Sequence, residues 1–406
     1  MRIRDIRERI DTTTLLITIA LLVIGIVSVY SATYDAKASE TFHKQVLFAL
    51  LGLVALTAVA LTPFRLLQLF SPPAYFLSIL MLVSVLILGK TVSGSTSWFT
   101  IGTLRLQPSE FTKITTVLAL ATYLSRTDVS LRVTRHLLIA SGIVLLPVGL
   151  IMLQPDTGTA IIYLGMFFPI LYWGGASRFT LVAIIAPVAA AVAALFGTTA
   201  FLVAILVSGV LLYMTKEHRI VAAVVFSLTV LVGISVQHMY EGLKHYQQKR
   251  IATFLDPGAD PLGAGYNILQ SKVAIGSGGL LGKGYLHGTQ TQLNFIPEQW
   301  TDFIFCVPGE EFGFLGAATV LILFMVLLWR GVTLGATVKN RYGSFVAIGI
   351  SALLGTHIFI NIGMSLGLLP VIGVPLPFLS YGGSALVASM MMVGTLLNLY
   401  AHRKEY

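Results

Sequence analysis

Charged residues divide this chain into long uncharged runs, and these runs constrain the fold more than any other feature. A helix needs about 20 predominantly apolar residues to cross the hydrocarbon core of a bilayer. Runs of about that length without Asp, Glu, Lys or Arg cover residues 12–34, 45–64, 66–89, 137–155, 157–177 and 220–240. The pattern predicts an all-α polytopic membrane protein, because a helix satisfies its own backbone hydrogen bonds in lipid.

Two longer uncharged segments each predict a pair of spans. Segment 179–215 would form a helix of about 55 Å, which is too long for one crossing, and residues 197–199 offer a turn. Segment 342–402 is longer still, and three prolines interrupt it, namely Pro370, Pro375 and Pro377. We therefore expect two helices in each segment.

Two further spans, at about 108–125 and 303–329, carry charged residues near one end. The total of about twelve spans puts both termini on one side of the membrane. Sixteen of the 26 Lys and Arg residues fall on that side, which makes it cytoplasmic by the positive-inside rule. We expect one integral membrane domain, residues 1–406, in which residues 241–301 form one large extracytoplasmic loop.

The composition agrees with this class and excludes others. Apolar residues make up 56% of the chain and charged residues 11%, and the mean hydropathy is +0.87. Average soluble chains carry about 25% charged residues, so a disordered chain and an ordinary nucleic-acid-binding domain are excluded. The net charge of +9 comes from basic residues beside apolar runs and indicates a membrane surface. The single cysteine, Cys306, excludes an intrachain disulfide and a cysteine-cluster metal site.

The predicted outer loop is rich in glycine, with nine glycines between residues 258 and 288. Glycine-rich backbone can approach phosphates closely, but composition alone favours simple loop flexibility. Neither a Walker pattern nor a dinucleotide fingerprint is present, which excludes a nucleotide site. Residues 266–275 can form an amphipathic interfacial helix.

Asp302 stands where this loop enters the next span, beside apolar residues 303–305. A carboxylate there is either the anion at a helix N-terminus or a working base. Glu298 lies four residues earlier, so both carboxylates can face one site. Such a pair suits acid–base work or a divalent cation.

Other polar residues lie at the outer ends of predicted spans. Glu110 and Lys113 are three residues apart and can form a structural ion pair, although ionisable residues inside a membrane are costly and often functional. Asp156 is either a site residue or the N-cap of the following helix. Trp98, in the outer segment 93–107, is either an interfacial belt residue or a platform for a sugar or a lipid headgroup.

Segment 379–384, Leu-Ser-Tyr-Gly-Gly-Ser, opens the last span and on its own indicates a helix start. The eight histidines show no His-Glu-x-x-His or other ligand spacing, which argues against a zinc site. No Gly-x-Ser-x-Gly elbow is present.

Longer motifs along the whole chain resemble the SEDS family (shape, elongation, division and sporulation proteins). Beside Trp98 they are QPSEFTK at 107–113, QPDTGTA at 154–160, RIATFLDPGADPLGAGYNILQSKVAIGSGGLLGKG from 250, FIPEQWTDFIF at 295–305, GEEFG at 309–313 and PLPFLSYGGSA at 375–385. Segments 286–298 and 373–385 are more similar to the elongation branch of the family than to its division branch. The chain departs from the family pattern at Ser97, Trp300 and Pro308.

The resemblance implies a family core of ten spans, with about two additional helices between residues 175 and 245. It places the family's essential aspartate on Asp302, which is also a possible metal ligand. The residues that match substrate-binding or supporting positions are Trp98, Glu110, Lys113, Asp156, Arg250, Gln270, Ser271, Glu298, Thr301, Ser380 and Tyr381.

The resemblance further implies a peptidoglycan glycosyltransferase of cell-wall elongation that polymerises lipid II. We expect a divalent cation, Mg²⁺ or Mn²⁺, and no nucleotide or organic cofactor. Implied partners are a class B penicillin-binding transpeptidase, other elongation-complex membrane proteins and membrane lipids, with no nucleic acid. We expect a cytoplasmic (inner) membrane protein with its active site on the extracytoplasmic face. The alternatives are a flippase for lipid-linked precursors, the division member of the family, and a scaffold without activity.

Overall fold

The structure, a computed structural model, describes residues 10–34, 39–92, 94–102, 104–216, 219–242, 248, 251–252 and 265–404. The predicted class is confirmed, because most of these residues are helical. The helices are α1 (Thr12–Tyr34), α2 (Ser39–Leu61), α3 (Phe64–Leu88), α4 (Pro108–Leu124), α5 (Thr134–Leu153), α6 (Thr157–Trp173), α7 (Arg178–Leu195), α8 (Thr198–Met214), α9 (Arg219–Glu241), α10 (Tyr266–Ser277), α11 (Thr289–Gln292), α12 (Cys306–Glu311), α13 (Gly313–Thr337), α14 (Arg341–Ser365) and α15 (Gly383–Ala401).

Nine helices in the described ranges are long and apolar enough to cross a membrane, namely α1, α2, α3, α5, α7, α9, α13, α14 and α15. The other three predicted spans correspond to α4, α6 and α8, which have 17 residues each. The count of twelve spans stays a prediction. The turn between α7 and α8 is confirmed, and Gly197 adopts a φ of 112° there.

The prediction of one helix over 303–329 is wrong. α12 ends at Glu311 and α13 begins at Gly313, whose φ is 62°. A Cβ at Gly313 would lie 2.4 Å from the Gly282 nitrogen, so the backbone of the outer loop occupies the space that a longer side chain would need. The break follows from this close approach, which a hydropathy pattern does not record.

Within residues 265–288, the glycine-rich segment is hydrogen-bonded to other parts of the protein, so the expectation of simple flexibility is not met in this described part. Its described part runs along the backbone of residues 309–315. The Lys283 and Gly284 nitrogens donate to the carbonyl oxygens of Glu310 and Glu311 at 3.1 and 3.0 Å. These N–H groups are therefore engaged within the protein and do not form a phosphate cradle.

A small antiparallel sheet, which the all-α prediction missed, lies within segment 93–107 and the three residues before it. Its strands are β1 (Lys90–Val92), β2 (Ser95–Ile101) and β3 (Leu104–Leu106), in the order β1-β2-β3. Lys90 pairs with Trp98 and Thr100 with Arg105. Ser95 Oγ donates to the Gln154 carbonyl at 2.7 Å, which fastens the sheet to the end of α5.

The core of the bundle is formed by α14 and α15. In their most apolar windows 78% and 67% of the residues are buried, against 17% in α7 and 11% in α9. α14 packs against α4, α6 and α13, and α15 packs against α2. α7, α8 and α9 make their main contacts with one another. These three peripheral helices occupy the stretch in which about two additional helices are predicted.

Candidate active site

Asp302 lies in a turn that connects the outer loop to α12, and its exposure is intermediate. The turn begins at Glu298, whose carbonyl accepts from the Thr301 and Asp302 nitrogens at 3.1 and 3.2 Å. Glu298 has a φ of 56°, and its carboxylate accepts from Thr301 Oγ1 at 3.1 Å. Glu298 and Asp302 therefore share one turn, while a cation held by both carboxylates stays a prediction.

The residues just before Asp302 are tied to distant parts of the chain. Gln299 is buried, and its Nε2 donates to the Ala32 carbonyl near the C-terminal end of α1, at 2.8 Å. The Trp300 carbonyl accepts from the Tyr381 nitrogen at 2.8 Å. The turn is thereby held between α1 and the segment that precedes α15.

Ser380 connects the same turn to the proline-rich segment 370–382. Its hydroxyl donates to the Thr301 carbonyl at 2.6 Å and accepts from the Leu376 nitrogen at 2.7 Å. α15 begins only at Gly383, so the interpretation of 379–384 as a helix start holds for its end alone. Ser380 and Tyr381 lie in the segment that contacts the turn of Asp302, and their role toward a substrate stays a prediction.

The carbonyl of Asp302 itself is held by Asn361 of α14, a residue that the sequence analysis missed. Asn361 Nδ2 donates to this carbonyl at 2.9 Å and to the Val374 carbonyl at 2.7 Å. The Asp302 carboxylate lies over Gly373, where an added Cβ would be 3.5 Å from Oδ2. Turn, proline-rich segment and α14 therefore converge on Asp302.

Glu110 and Lys113 form the predicted ion pair, at 2.8 Å and fully inside the protein. Lys113 Nζ also lies 2.8 Å from Nε2 of His357, which the sequence analysis did not select. The ammonium can only donate, so His357 Nε2 accepts and its Nδ1 hydrogen is left for the Pro375 carbonyl at 3.3 Å. This buried chain joins α4 to α14 and to the proline-rich segment.

Asp156 is the N-cap of α6, one of its two predicted roles. Its carboxylate accepts from the Thr159 nitrogen at 3.0 Å, from Thr159 Oγ1 at 2.9 Å and from Gln107 Nε2 at 3.0 Å. Trp98 lies in the middle of β2 with intermediate exposure. Contact of Asp156 or Trp98 with a substrate stays a prediction.

The remaining candidates lie on or before α10. Ser271 is fully buried, its hydroxyl donates to the Ser365 carbonyl, and the Cys306 sulfur lies 2.9 Å away. Gln270 beside it has intermediate exposure. Ser271 thus fastens α10 to α14 and α12. Arg250 lies outside the described residues.

Two buried carboxylates hold the outer loop in place. Glu310 accepts from Lys283 Nζ at 2.7 Å and from the Gln290 and Thr291 nitrogens at 2.9 Å each. Burial acts to raise the pKa of Glu310, but these donors outweigh it and the pKa lies below its ordinary value. Burial does raise the pKa of the neighbouring Glu311. Both residues lie in α12, before the span that begins at Gly313.

Glu311 accepts hydrogen bonds from α1 and from the segment just before α11. Glu311 Oε1 accepts from Ser31 Oγ at 2.5 Å and from the Leu286 nitrogen at 3.2 Å. The two adjacent glutamates therefore have different partners, since Glu310 binds the loop around α11 and Glu311 binds both this loop and α1. The sequence signal that was available was their position beside an apolar span, where ionisable residues are rare.

Similarity to known proteins defines the class of this membrane protein. The FtsW/RodA/SpoVE family, described as cell cycle protein, matches residues 11–198 and 192–405. The two matches meet at the turn between α7 and α8, within the stretch of the additional helices. The chain belongs to this family, which confirms the SEDS resemblance.

Relatives with established names extend over nearly the whole chain. The chain is 37% identical to the peptidoglycan glycosyltransferase MrdB of Escherichia coli K12, covering 98% of this chain and 95% of that protein. It is 35% identical to the stage V sporulation protein E of Bacillus subtilis, with 96% of each chain covered. It is 33% identical to the peptidoglycan glycosyltransferase RodA of Treponema pallidum, covering 99% of this chain and all of that one.

Solved structures share the fold. A chain from a study of how a peptidoglycan synthase complex coordinates polymerization and crosslinking matches with a TM-score of 0.75 and 28% identity, covering 98% of this chain and 99% of that one. The crystal structure of the rod shape determining protein RodA of Thermus thermophilus matches with a TM-score of 0.65 and 26% identity, with 98% of each chain covered.

Proposed function

We propose that this chain is a peptidoglycan glycosyltransferase that polymerises lipid II, a disaccharide-peptide carried on undecaprenyl diphosphate. Family membership and the names of the full-length relatives support this activity. The observation that carries it to particular atoms is the convergence of the turn, the proline-rich segment and α14 on Asp302. An oriented carboxylate at the mouth of a helix bundle suits a general base.

In the proposed reaction, the 4-hydroxyl of the acceptor N-acetylglucosamine attacks the anomeric carbon of the donor glycan. Asp302 orients this hydroxyl and accepts its proton as the new C–O bond forms. The bond from the anomeric carbon to the diphosphate oxygen breaks, undecaprenyl diphosphate leaves with the electron pair, and the anomeric centre inverts. The diphosphate already carries negative charge, so it needs no second carboxylic acid to protonate it, unlike the leaving group of a glycosidase.

The diphosphate charge has to be neutralised as it leaves. Lys113 does not fit this task, because it is fully buried and shared between Glu110 and His357. Arg250, the other cationic candidate, lies outside the described residues. We expect Mg²⁺ or Mn²⁺ to supply the charge, alone or with Arg250, and we expect no nucleotide or organic cofactor. No cluster of three His, Cys, Asp or Glu side chains suited to a metal occurs in the part of the chain that the structure describes. The Asp302 carboxylate offers one oxygen ligand, which fits Mg²⁺, since this ion usually keeps several waters and substrate phosphates.

The cellular setting is part of the same proposal. We infer an elongation role in the inner membrane, with cytoplasmic termini, an extracytoplasmic site and a class B penicillin-binding transpeptidase as partner. The structural neighbour from a synthase complex that joins polymerization to crosslinking supports such a partner. Other elongation-complex proteins and membrane lipids belong to the same proposal.

The test uses purified full-length protein in detergent, with its transpeptidase, lipid II and Mn²⁺ or Mg²⁺, and glycan chains resolved on a gel. We expect a ladder of products from the wild type and from Asp128→Asn, a control in an exposed pair with Arg126. Asp302→Asn should give no ladder. A ladder from Asp302→Asn would refute the assignment of the base.

The same assay separates the flippase and the scaffold from the polymerase. Detergent removes membrane sidedness, so transport alone gives no polymer. Absence of product from the wild type, with lipid II shown to be competent in a parallel reaction with a known polymerase, would refute the proposed activity.

A further inference from the structure

Asn361 is a buried asparagine in the core helix α14, and its amide faces the proposed active site. One Nδ2 group donates to two backbone carbonyls, those of Asp302 at 2.9 Å and Val374 at 2.7 Å. Asn361 is fully buried, so the loss of either hydrogen bond would leave a polar group unpaired and would cost free energy. The amide therefore joins the turn of Asp302 to the proline-rich segment from below.

The chemistry of the site selects an amide. Bridging two carbonyl oxygens requires a group with at least two hydrogen donors, and the asparagine amide supplies both from one nitrogen without burying a charge. The reversed amide would place its oxygen against both carbonyls, so the contacts fix its orientation. Within the described part of the chain, Asn361 Oδ1 accepts no hydrogen bond, which leaves the two donations as its polar function.

The position of the Asp302 carboxylate depends on this contact. The carbonyl that Asn361 holds belongs to the same residue as the carboxylate, and the Gly373 backbone beneath the carboxylate adjoins Val374. Loss of the bridge frees the carbonyls of Asp302 and Val374 together. A displacement of about 1 Å in a reacting group can reduce a rate about 100-fold.

We propose that Asn361 is a positioning residue for glycosyl transfer, which sets the place of Asp302 by bridging the Asp302 and Val374 carbonyls. This inference rests on the proposed function. Asn361 acts through Asp302 and does not itself touch the sugar or the diphosphate. Its loss should therefore reduce the turnover rate while binding of lipid II persists.

The chain offers a closely matched control in Asn398 of α15. Asn398 is also fully buried, its Nδ2 donates to the carbonyls of Val59, Ala60 and Thr62, and its Oδ1 likewise lacks a partner among the described residues. These carbonyls lie at the turn between α2 and α3. Asn398 is near the C-terminal end of α15, whereas the segment that contacts the turn of Asp302 precedes the N-terminal end of that helix. Asn398 therefore reports the cost of losing a buried amide away from the site.

The experiment compares Asn361→Leu with Asn398→Leu in the full-length protein with its transpeptidase. Leucine keeps the volume and removes the donors, and Asn361→Ala and Asn398→Ala serve if a leucine variant does not fold. Thermal unfolding midpoints are measured first, and kcat and KM for lipid II are then measured below the lower midpoint. We expect kcat to fall about 100-fold in Asn361→Leu with KM unchanged, and to stay at the wild-type value in Asn398→Leu.

Equal kcat values in the two variants would overturn the positioning role, since the loss would then be a general effect of a missing buried amide. A rise in KM at unchanged kcat in Asn361→Leu would also overturn it, because the residue would then act in binding. An inactive wild type would refute the proposed function itself. An active wild type with a fully active Asn361→Leu would refute only this inference.

Discussion

Asn361 and Asp302 meet through a side-chain amide and a backbone carbonyl, 2.9 Å apart, and not through their two side chains. This bond holds the backbone of Asp302 from the core helix α14 and does not use its carboxylate. This arrangement divides the site into one proposed base and a set of residues that hold its main chain.

Ser380→Ala should lower polymerisation strongly. The Ser380 hydroxyl joins the part-buried Thr301 carbonyl to the buried Leu376 nitrogen, and its removal leaves both groups without that partner. Each unpaired group costs about 1–3 kcal/mol, and the turn of Asp302 loses its support. The rate of glycan synthesis and the thermal midpoint are the measurements.

Ser389→Ala is the control for that change, because the Ser389 hydroxyl donates only within α15, to the Ala385 carbonyl at 2.8 Å. Its polymerisation rate should match the wild type. Equal rates in the two alanine variants would show that Ser380 does not support the site.

Lys113→Met should destabilise the protein by about 3–5 kcal/mol, because it leaves the Glu110 carboxylate buried without its partner. The double variant Glu110→Gln with Lys113→Met should recover part of this loss, since no unpaired charge remains. Thermal unfolding in detergent measures both. A double variant less stable than Lys113→Met would contradict the role of the pair.

At neutral pH, Glu310→Gln should lower the stability of the fold, whereas Glu311→Gln should leave it unchanged or raise it. The pKa of Glu310 is lowered in the folded protein, so its ionised form stabilises the fold above its unfolded pKa, and this contribution is lost as the pH falls through the folded value. Glu310→Gln should therefore lower stability at neutral pH by about 2 kcal/mol, the range of hydrogen bonds to a charged group.

The pKa of Glu311 is raised, so its contribution is present below the unfolded pKa and is lost as the pH rises through the folded value. Glu311→Gln removes this loss and should match or exceed the wild-type thermal midpoint at neutral pH. Scans between pH 4 and pH 8 (about the range over which a shifted carboxyl titrates) test both variants. A larger loss in Glu311→Gln than in Glu310→Gln would contradict the assignment.

Gly282→Ala should destabilise the outer loop. Gly282 has a φ of 82°, and an added Cβ would lie 2.1 Å from the Glu311 carbonyl oxygen. Gly276→Ala is the control, because Gly276 lies in α10 with no atom within 4 Å of an added Cβ, and alanine favours a helix by about 1 kcal/mol over glycine. Limited proteolysis of the loop and the thermal unfolding midpoint are measured for both variants. Equal values for Gly282→Ala and Gly276→Ala would show that the loop is not packed at Gly282.

The parts of the fold that depend on local sequence could be predicted. A span needs a long apolar run wherever it lies, so charges and prolines located the helices, and Gly197 marked the turn between α7 and α8. The break at Gly313 could not be predicted in this way, because it depends on the approach of Gly282 from another segment. The strands around Trp98 were missed because three to seven residues carry little periodic signal.

Only part of the candidate site could be predicted, because its motifs are local but its contacts join distant segments. Motif resemblance selected Asp302, Ser380 and Tyr381. In the structure Asp302 lies in the turn, and Ser380 and Tyr381 form hydrogen bonds to the residues just before it. The resemblance did not select Asn361 or His357, although polar residues four positions apart on one face of an apolar span were a visible signal. Apart from Lys113, which contacts His357, their partners are carbonyl oxygens, which are present at every residue and which a sequence does not distinguish.

The peripheral helices α7, α8 and α9 have a consequence for how proteins of this kind can diverge. They contact one another more than the core, whereas the described hydrogen bonds that hold the turn of Asp302 come from α1, from α14 and from the proline-rich segment. Insertion or loss of a helical pair at this edge leaves those contacts in place. The number of membrane crossings can therefore change between relatives while the chemistry is inherited unaltered.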